Sequence, residues 1–293
     1  MIYTIKNEFL SVDINDAGAE LFSIKDKDGT EYLWQGDDTY WARRSPTLFP
    51  FVGRLTDGAY TLHGKKYEMD IHGFLKQSLF ALVSQKEDAI TFSLKDNEST
   101  LAQYPFSFEF LLSYTLKGAK LDVDFAVKNL SSDTMYFGIG AHPGFCVPLE
   151  EGLPFTSYFL EFGAKAEAVR MGVGDTCFLN GADEPFPLVD GVKIPLTHEL
   201  FDRDAVVLKN VDRSLSLKSE SGKKGLCVRY PDMPYMGIWS KPHTDAPYVC
   251  IEPWVSLPSA EGEIAELSTK ADLVSLAASG TYKNGWSVEI ING

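Results

Sequence analysis

Leu121-Asp122-Val123-Asp124-Phe125-Ala126-Val127-Lys128 alternates apolar and polar side chains almost without a break. Successive side chains of an extended chain point to opposite faces, so a period of two marks a strand with one face in a core and the other in water. The same period runs through Thr91-Phe92-Ser93-Leu94, through Phe108 to Tyr114, and through Ser287-Val288-Glu289-Ile290. Turn dipeptides lie between such runs: Asp28-Gly29, Asp57-Gly58, Lys117-Gly118, Asn180-Gly181, Asp190-Gly191 and Asn284-Gly285. No long stretch has a 3.6-residue period. A single helical turn is expected around Thr197-His198-Glu199-Leu200-Phe201, capped by Thr197. Short strands punctuated in this way predict an antiparallel all-β protein, a sandwich or a barrel.

A chain of 293 residues with 44% hydrophobic and 23% charged side chains has the length and balance of a globular protein with a large core. No low-complexity linker or fixed-period repeat divides it, so one β domain is expected over residues 1–293. Pro143 to Pro154 and Ala182 to Pro195 read as long surface loops of that domain. The net charge of −14 argues against a nucleic-acid partner, because no basic surface is available to displace counterions from phosphates. No window approaches the roughly 18 apolar residues of a membrane span. The opening Met1-Ile2-Tyr3-Thr4-Ile5 reads as a strand and lacks the pattern of a secretory signal. Cys146, Cys177, Cys227 and Cys250 are scattered, with no CxxC spacing, and are expected to be reduced thiols in a cytoplasmic protein. Asn97-Glu98-Ser99 and Asn129-Leu130-Ser131 match the glycosylation sequon, which means little in that compartment. Monomer and homodimer both stay open.

The chain holds five histidines, and two sit in compact glycine- and aromatic-flanked segments, Ile71-His72-Gly73-Phe74 and Gly140-Ala141-His142-Pro143-Gly144-Phe145. A third segment, Tyr248-Val249-Cys250-Ile251-Glu252-Pro253-Trp254, puts a carboxylate in an apolar strand end. Alternation sends Tyr248, Cys250, Glu252 and Trp254 to one face and Val249 and Ile251 to the other. An isolated buried carboxylate is costly, so Glu252 either projects into a cleft with a task or lies on an edge strand facing solvent. Pro253 keeps the edge reading open. Pro143-Gly144 imposes a tight turn that fixes the direction of the His142 imidazole. His72 stands at the end of an alternating run, on the same face as Asp70. Arg54 closes the apolar run Phe49-Pro50-Phe51-Val52-Gly53 and needs either a carboxylate or a ligand oxygen. No GxSxG, Walker or GxGxxG pattern occurs, and no HExxH or His-x-His pair, so neither a cofactor nor a metal is expected. His63, His198 and His243 read as surface residues.

The segments around Arg54, His72, His142 and Glu252, in this order and spacing, resemble the aldose 1-epimerase (galactose mutarotase) family, specifically its LacX-like branch. The resemblance runs from Asn7-Glu8-Phe9-Leu10-Ser11-Val12 to Trp286-Ser287-Val288 and is strongest over 41–74, 136–146 and 246–255. It implies a large antiparallel β-supersandwich and an enzyme that interconverts the α and β anomers of a free aldose, a small-molecule sugar, through the open-chain aldehyde. On that analogy Glu252 is the general base at the C1 hydroxyl and His142 the general acid at the ring oxygen. His72 and Arg54 would hold the sugar and stabilise charge on its oxygens. The family's galactose enzymes carry a further sugar-binding aspartate upstream of the base, for which Asp204, or else Asp202, is the candidate. The His72 segment reads His-Gly-Phe and departs from those enzymes after His-Gly, which bears on sugar specificity. Trp239, Trp254 and Phe74 are expected to pack on the apolar face of a pyranose. Two alternatives share the fold: a hexose-6-phosphate mutarotase, with Arg43, Arg44 and Lys241 at the pocket rim, and a non-catalytic carbohydrate-binding protein. A glycosidase would need two working carboxylates across the bond.

Overall fold

Phe108–Lys117 and Lys120–Asn129 pair antiparallel, setting Leu121 opposite Leu116, Val123 opposite Tyr114, Phe125 opposite Leu112 and Val127 opposite Phe110. These eight side chains are buried, and the residues between them are at least half-buried or exposed, as the alternation requires. The computed structural model containing this hairpin describes residues 1–173 and 176–292. Over these residues, antiparallel strands form a nine-stranded sheet, an eight-stranded sheet and a three-stranded sheet, with two small ribbons. The hairpin lies within the nine-stranded sheet, between Thr281–Asn292 and Ala89–Lys95. One apolar cluster takes side chains from all three large sheets, among them Ile5 and Val12, Val123 and Phe125, and Val249 and Ile251. The fold is an all-β supersandwich. No helix among the described residues is long and apolar enough to cross a membrane.

Several expectations need correction. Asn284-Gly285 is not a turn: Thr281–Asn292 runs straight through it, with Asn284 opposite Phe125 and Gly285 opposite Asp124. The ladder outweighs the dipeptide's turn preference. The helical turn His198–Phe201 forms, but Thr197 makes no side-chain cap bond. A capped helix stands elsewhere, at Glu98–Gln103, where Asn97 Oδ1 accepts from the Ser99 and Thr100 amides and the Thr100 hydroxyl accepts from the Asn97 amide. The first sequon is therefore a helix cap. The second is buried: Asn129 is 0% exposed, and its amide donates to the carbonyls of Asp133 and Leu276. Nor is Pro143 to Pro154 wholly a surface loop, since Gly144–Cys146 is a strand of the eight-stranded sheet.

Candidate active site

The strand Tyr248–Trp254 is buried along its whole length. It is interior, paired with Tyr235–Trp239 on one side and with Gly140–Ala141 and Gly144–Cys146 on the other. The edge-strand reading of Glu252 is thereby removed. Pro253 is tolerated because it falls at a gap in the ladder. Ile251 donates to the Pro143 carbonyl and Val255 to the Ile139 carbonyl, and Pro253, between them, has no N–H to offer. Alternation sends Val249 and Ile251 into the main core, with Val206, Leu208, Met236 and Ile238 of the neighbouring strands. Val207, Gly237, Trp239, Glu252 and Trp254 belong to the opposite face. There a lateral row crosses the sheet, Val207 beside Gly237 and Gly237 beside Glu252. The pairings Gly140 with Trp254 and Gly144 with Cys250 bring His142 opposite Glu252. Gly237 keeps the row open, since a Cβ there would lie 2.9 Å from the Trp254 ring and 3.2 Å from Glu252 Cβ.

Over this face lies a cleft of about 470 Å³, within the roughly 300–1,000 Å³ usual for small-molecule sites. Arg54, His72, His142, Asp204, Glu252 and Trp254 all line it. Phe74 does not. It packs against Phe49, Tyr104 and Phe108 in the core, because its segment turns at Asp70 to Gly73 and sends the next side chain inward. That turn also replaces the strand end expected at His72, which sits at φ 63°, before Gly73 at φ 70°. Gly73 is required here: a Cβ would fall 2.1 Å from the Phe49 carbonyl oxygen. Asp204 likewise has a left-handed backbone, φ 63°, and such conformations gather where function fixes side chains. Asp202 lies outside the cleft, 3.1 Å from His243 Nδ1.

Glu252 is 1% exposed and His142 8% exposed, and His142 Nε2 stands 3.3 Å from Glu252 Oε2. Burial, seconded by the Asp204 charge, pushes the Glu252 carboxyl well above the ordinary carboxylate range, while the Trp254 indole N–H pulls weakly the other way. Burial pushes the His142 imidazole down, and Lys76 adds to this. Both shifts favour the neutral forms, a protonated carboxyl beside a free imidazole. His72 is driven well below its ordinary value by burial, then by His142, Lys76 and Arg54. It is neutral, and its tautomer is set by the Gly53 amide, which donates to Nδ1 at 3.0 Å and leaves the proton on Nε2.

Asp204 is clamped. Trp239 Nε1–H donates to one oxygen at 2.7 Å and the Cys177 thiol to the other at 2.6 Å. Burial, then Asp204, raise the Cys177 thiol to about 11, which keeps it a donor. Arg54 is exposed at the cleft, forms no ion pair among the described residues, and lies close enough to the Cys177 thiol to pull it down slightly. Two other lining cations are already committed: Lys76 to Asp70 at 3.0 Å, and Arg43 to the Lys76 carbonyl at 2.8 Å and to Glu20 at 3.4 Å. Arg44 and Lys241 lie off the lining. Arg44 donates to the Phe22 carbonyl and Gln35, and Lys241 to the Thr39 carbonyl.

Trp41, Lys76 and Cys177 also line the cleft, and sequence reasoning missed all three. Trp41 matters most, because its ring stacks on His142 at 4.7 Å and 24° and meets Trp239 edge-on at 5.7 Å. Nothing in the spacing of Trp41 or of Cys177 signals this role.

The aldose 1-epimerase family model matches residues 1–269. Protein LacX (chromosomal) of Lactococcus lactis subsp. lactis is 34% identical over the full length of both chains. A galactose mutarotase related enzyme from Lactobacillus acidophilus superimposes with a TM-score of 0.94 at 34% identity, over 99% of this chain and 97% of that one. A galactose mutarotase-like protein from Lactobacillus casei ATCC 334 gives 0.93 at 34% identity, over 99% and 100% of the two chains.

Proposed function

This chain belongs to the aldose 1-epimerase family, isomerases acting on carbohydrates, and on that footing we propose that it interconverts the α and β anomers of a free aldohexose. The observation that carries this reading is the His142–Glu252 pair, two buried groups 3.3 Å apart in a cleft of sugar-binding size. A proton on His142 in place of Glu252 arms the pair as imidazolium and carboxylate. The carboxylate takes the C1 hydroxyl proton. As the C1=O double bond forms, the C1–O5 bond breaks with its electron pair on O5, and His142 protonates that oxygen. After the aldehyde end rotates, neutral His142 takes the proton back, O5 attacks the other face of C1, and Glu252 returns its proton to the carbonyl oxygen. Both groups end as they began. The neutral His72, with Nε2–H as donor, and Arg54 then hold sugar oxygens, and Trp239 and Trp254 supply apolar walls. Asp204, with both oxygens already bonded, orients Trp239 and raises Glu252, and accepts from a sugar hydroxyl only through its remaining lone pairs.

A phosphate ester is a weaker fit. Arg43 and Lys76 have their own carboxylates, which leaves Arg54 as the one lining cation without a carboxylate partner among the described residues. Four free thiols, two of them buried, suit a reducing cytoplasm. The test is anomer interconversion, followed by NMR or polarimetry, on freshly dissolved α-glucose, α-galactose and glucose 6-phosphate. Acceleration of a free sugar is expected. Acceleration confined to the phosphate ester would transfer the activity to phosphosugars, and none with any sugar, in folded protein, would favour a binding role.

A further inference from the structure

Behind the acid–base pair lies a third donor that the reaction does not use. Cys250 is two residues before Glu252 on the same face of the strand and is fully buried. One ligand atom from each of His142, Cys250 and Glu252 lies within 4.8 Å of the other two. The set crosses strands, with partners more than a hundred residues apart, so no sequence spacing announces it. We propose that these three side chains form a reversible site for a thiophilic divalent cation, Zn²⁺ by preference, and that its occupancy switches the catalytic pair off.

An imidazole nitrogen, a thiolate and a carboxylate are the donor types Zn²⁺ accepts, and three protein ligands with one open position are the arrangement of accessible zinc sites. Bond lengths of about 2.0–2.3 Å place donors roughly 3.3–3.8 Å apart around the ion. The His142–Glu252 separation of 3.3 Å already meets this, and an inward side-chain adjustment of about 1 Å closes the set. Charge favours the complex: one thiolate and one carboxylate neutralise the ion, so a buried ionised carboxylate gains a partner on the spot. The ion enters from the cleft, which His142 and Glu252 line, and its open position faces the sugar. Binding displaces the Cys250 and Glu252 protons to solvent and so tightens as pH rises. It occupies the His142 lone pair and the Glu252 carboxylate together, which removes acid and base at once. His142 Nδ1 has no hydrogen-bond partner among the described residues, and a ligand histidine without that outer anchor holds metal less firmly. The site is therefore one that a chelator empties, and not a resident metal centre.

The inhibition rests on the mutarotase reading, but the binding does not, and the experiment separates them. Co²⁺ is added to the metal-free full-length protein and the thiolate-to-cobalt charge-transfer absorption is recorded. Zn²⁺ is titrated in parallel against anomer interconversion, with and without EDTA. Wild type is expected to show the charge-transfer band, displaced by Zn²⁺, and inhibition that EDTA reverses. Cys250→Ser is expected to lose the band, keep its basal rate, and need about tenfold more Zn²⁺, or above, for half inhibition. Cys250→Ala serves if the serine variant does not fold, and Cys177→Ser, a thiol elsewhere in the cleft, should keep the band. Absence of the band in wild type, its survival in both Cys250 variants, or its loss in Cys177→Ser would overturn the site. Equal Zn²⁺ inhibition of wild type and a Cys250 variant would overturn the switch. If no sugar is turned over, the cobalt spectrum still decides the site.

Discussion

The hairpin Phe108–Asn129 and the strand Tyr248–Trp254 obey the same period of two and do opposite things with it. In the hairpin the outward residues are mostly polar and near water, and they meet partners across the sheet, as Lys128 does with Glu109 at 2.6 Å. In the strand the outward face is sealed as well, and what it carries is a phenol, a thiol, a carboxylate and an indole. Among the described residues, His142 Nδ1, Ser240 Oγ and Ser256 Oγ are buried without a protein hydrogen-bond partner. One sheet turns its second face to water, and the other turns it to the cleft, where buried polar groups meet.

The contrast yields predictions that separate chemistry from scaffold. His142→Asn should fold normally and lose catalysis by roughly 10²–10⁴-fold, as measured by polarimetry alongside a thermal melt. Phe125→Ala should do the reverse. Truncating this fully buried ring costs about 3–5 kcal/mol of stability, seen in urea unfolding, while the folded fraction keeps its rate per site. Trp41→Leu removes the ring stacked on His142. With a cation–π contribution of about 0.5–2 kcal/mol to the imidazolium, kcat should fall roughly 2- to 30-fold. The acid limb of the pH profile should also move to lower pH, because the imidazolium has lost support; a loss of packing alone would leave that limb in place.

The smallest effect is on stability. Burial raises the Glu252 carboxyl above its ordinary value of 4.5, so the folded state binds this proton more tightly than the unfolded state does. Its contribution is fully present below pH 4.5 and is lost as pH rises through the folded-state value. Glu252→Gln does not titrate. The Tm of this variant minus that of wild type should therefore grow as pH rises above 4.5. A constant difference would mean that Glu252 is not strained by burial.

Strand positions were legible wherever alternation was strict, because burial of one face is a local property of the sequence. The Asn284-Gly285 strand was not, since the ladders that hold it extended come from residues far away in the chain. The site was legible to the extent that its groups sit beside glycine, proline or apolar runs, as Arg54, His142 and Glu252 do. Phe74 was misplaced because the turn at His72 reverses which way the following side chain faces. Trp41 and Lys76 were missed because their role lies in what they touch, His142 for one and Asp70 for the other, and neither contact leaves a trace in spacing.

The central claim is that Glu252 works with His142 on the anomeric centre. Exchange NMR on equilibrated α- and β-glucose or galactose, comparing wild type with folded Glu252→Gln at equal concentration, tests it most directly. Enzyme-dependent exchange in wild type that drops by roughly 10²–10⁴-fold in the variant is the predicted result. Near-normal exchange in the folded variant would contradict it and remove Glu252 from the chemistry.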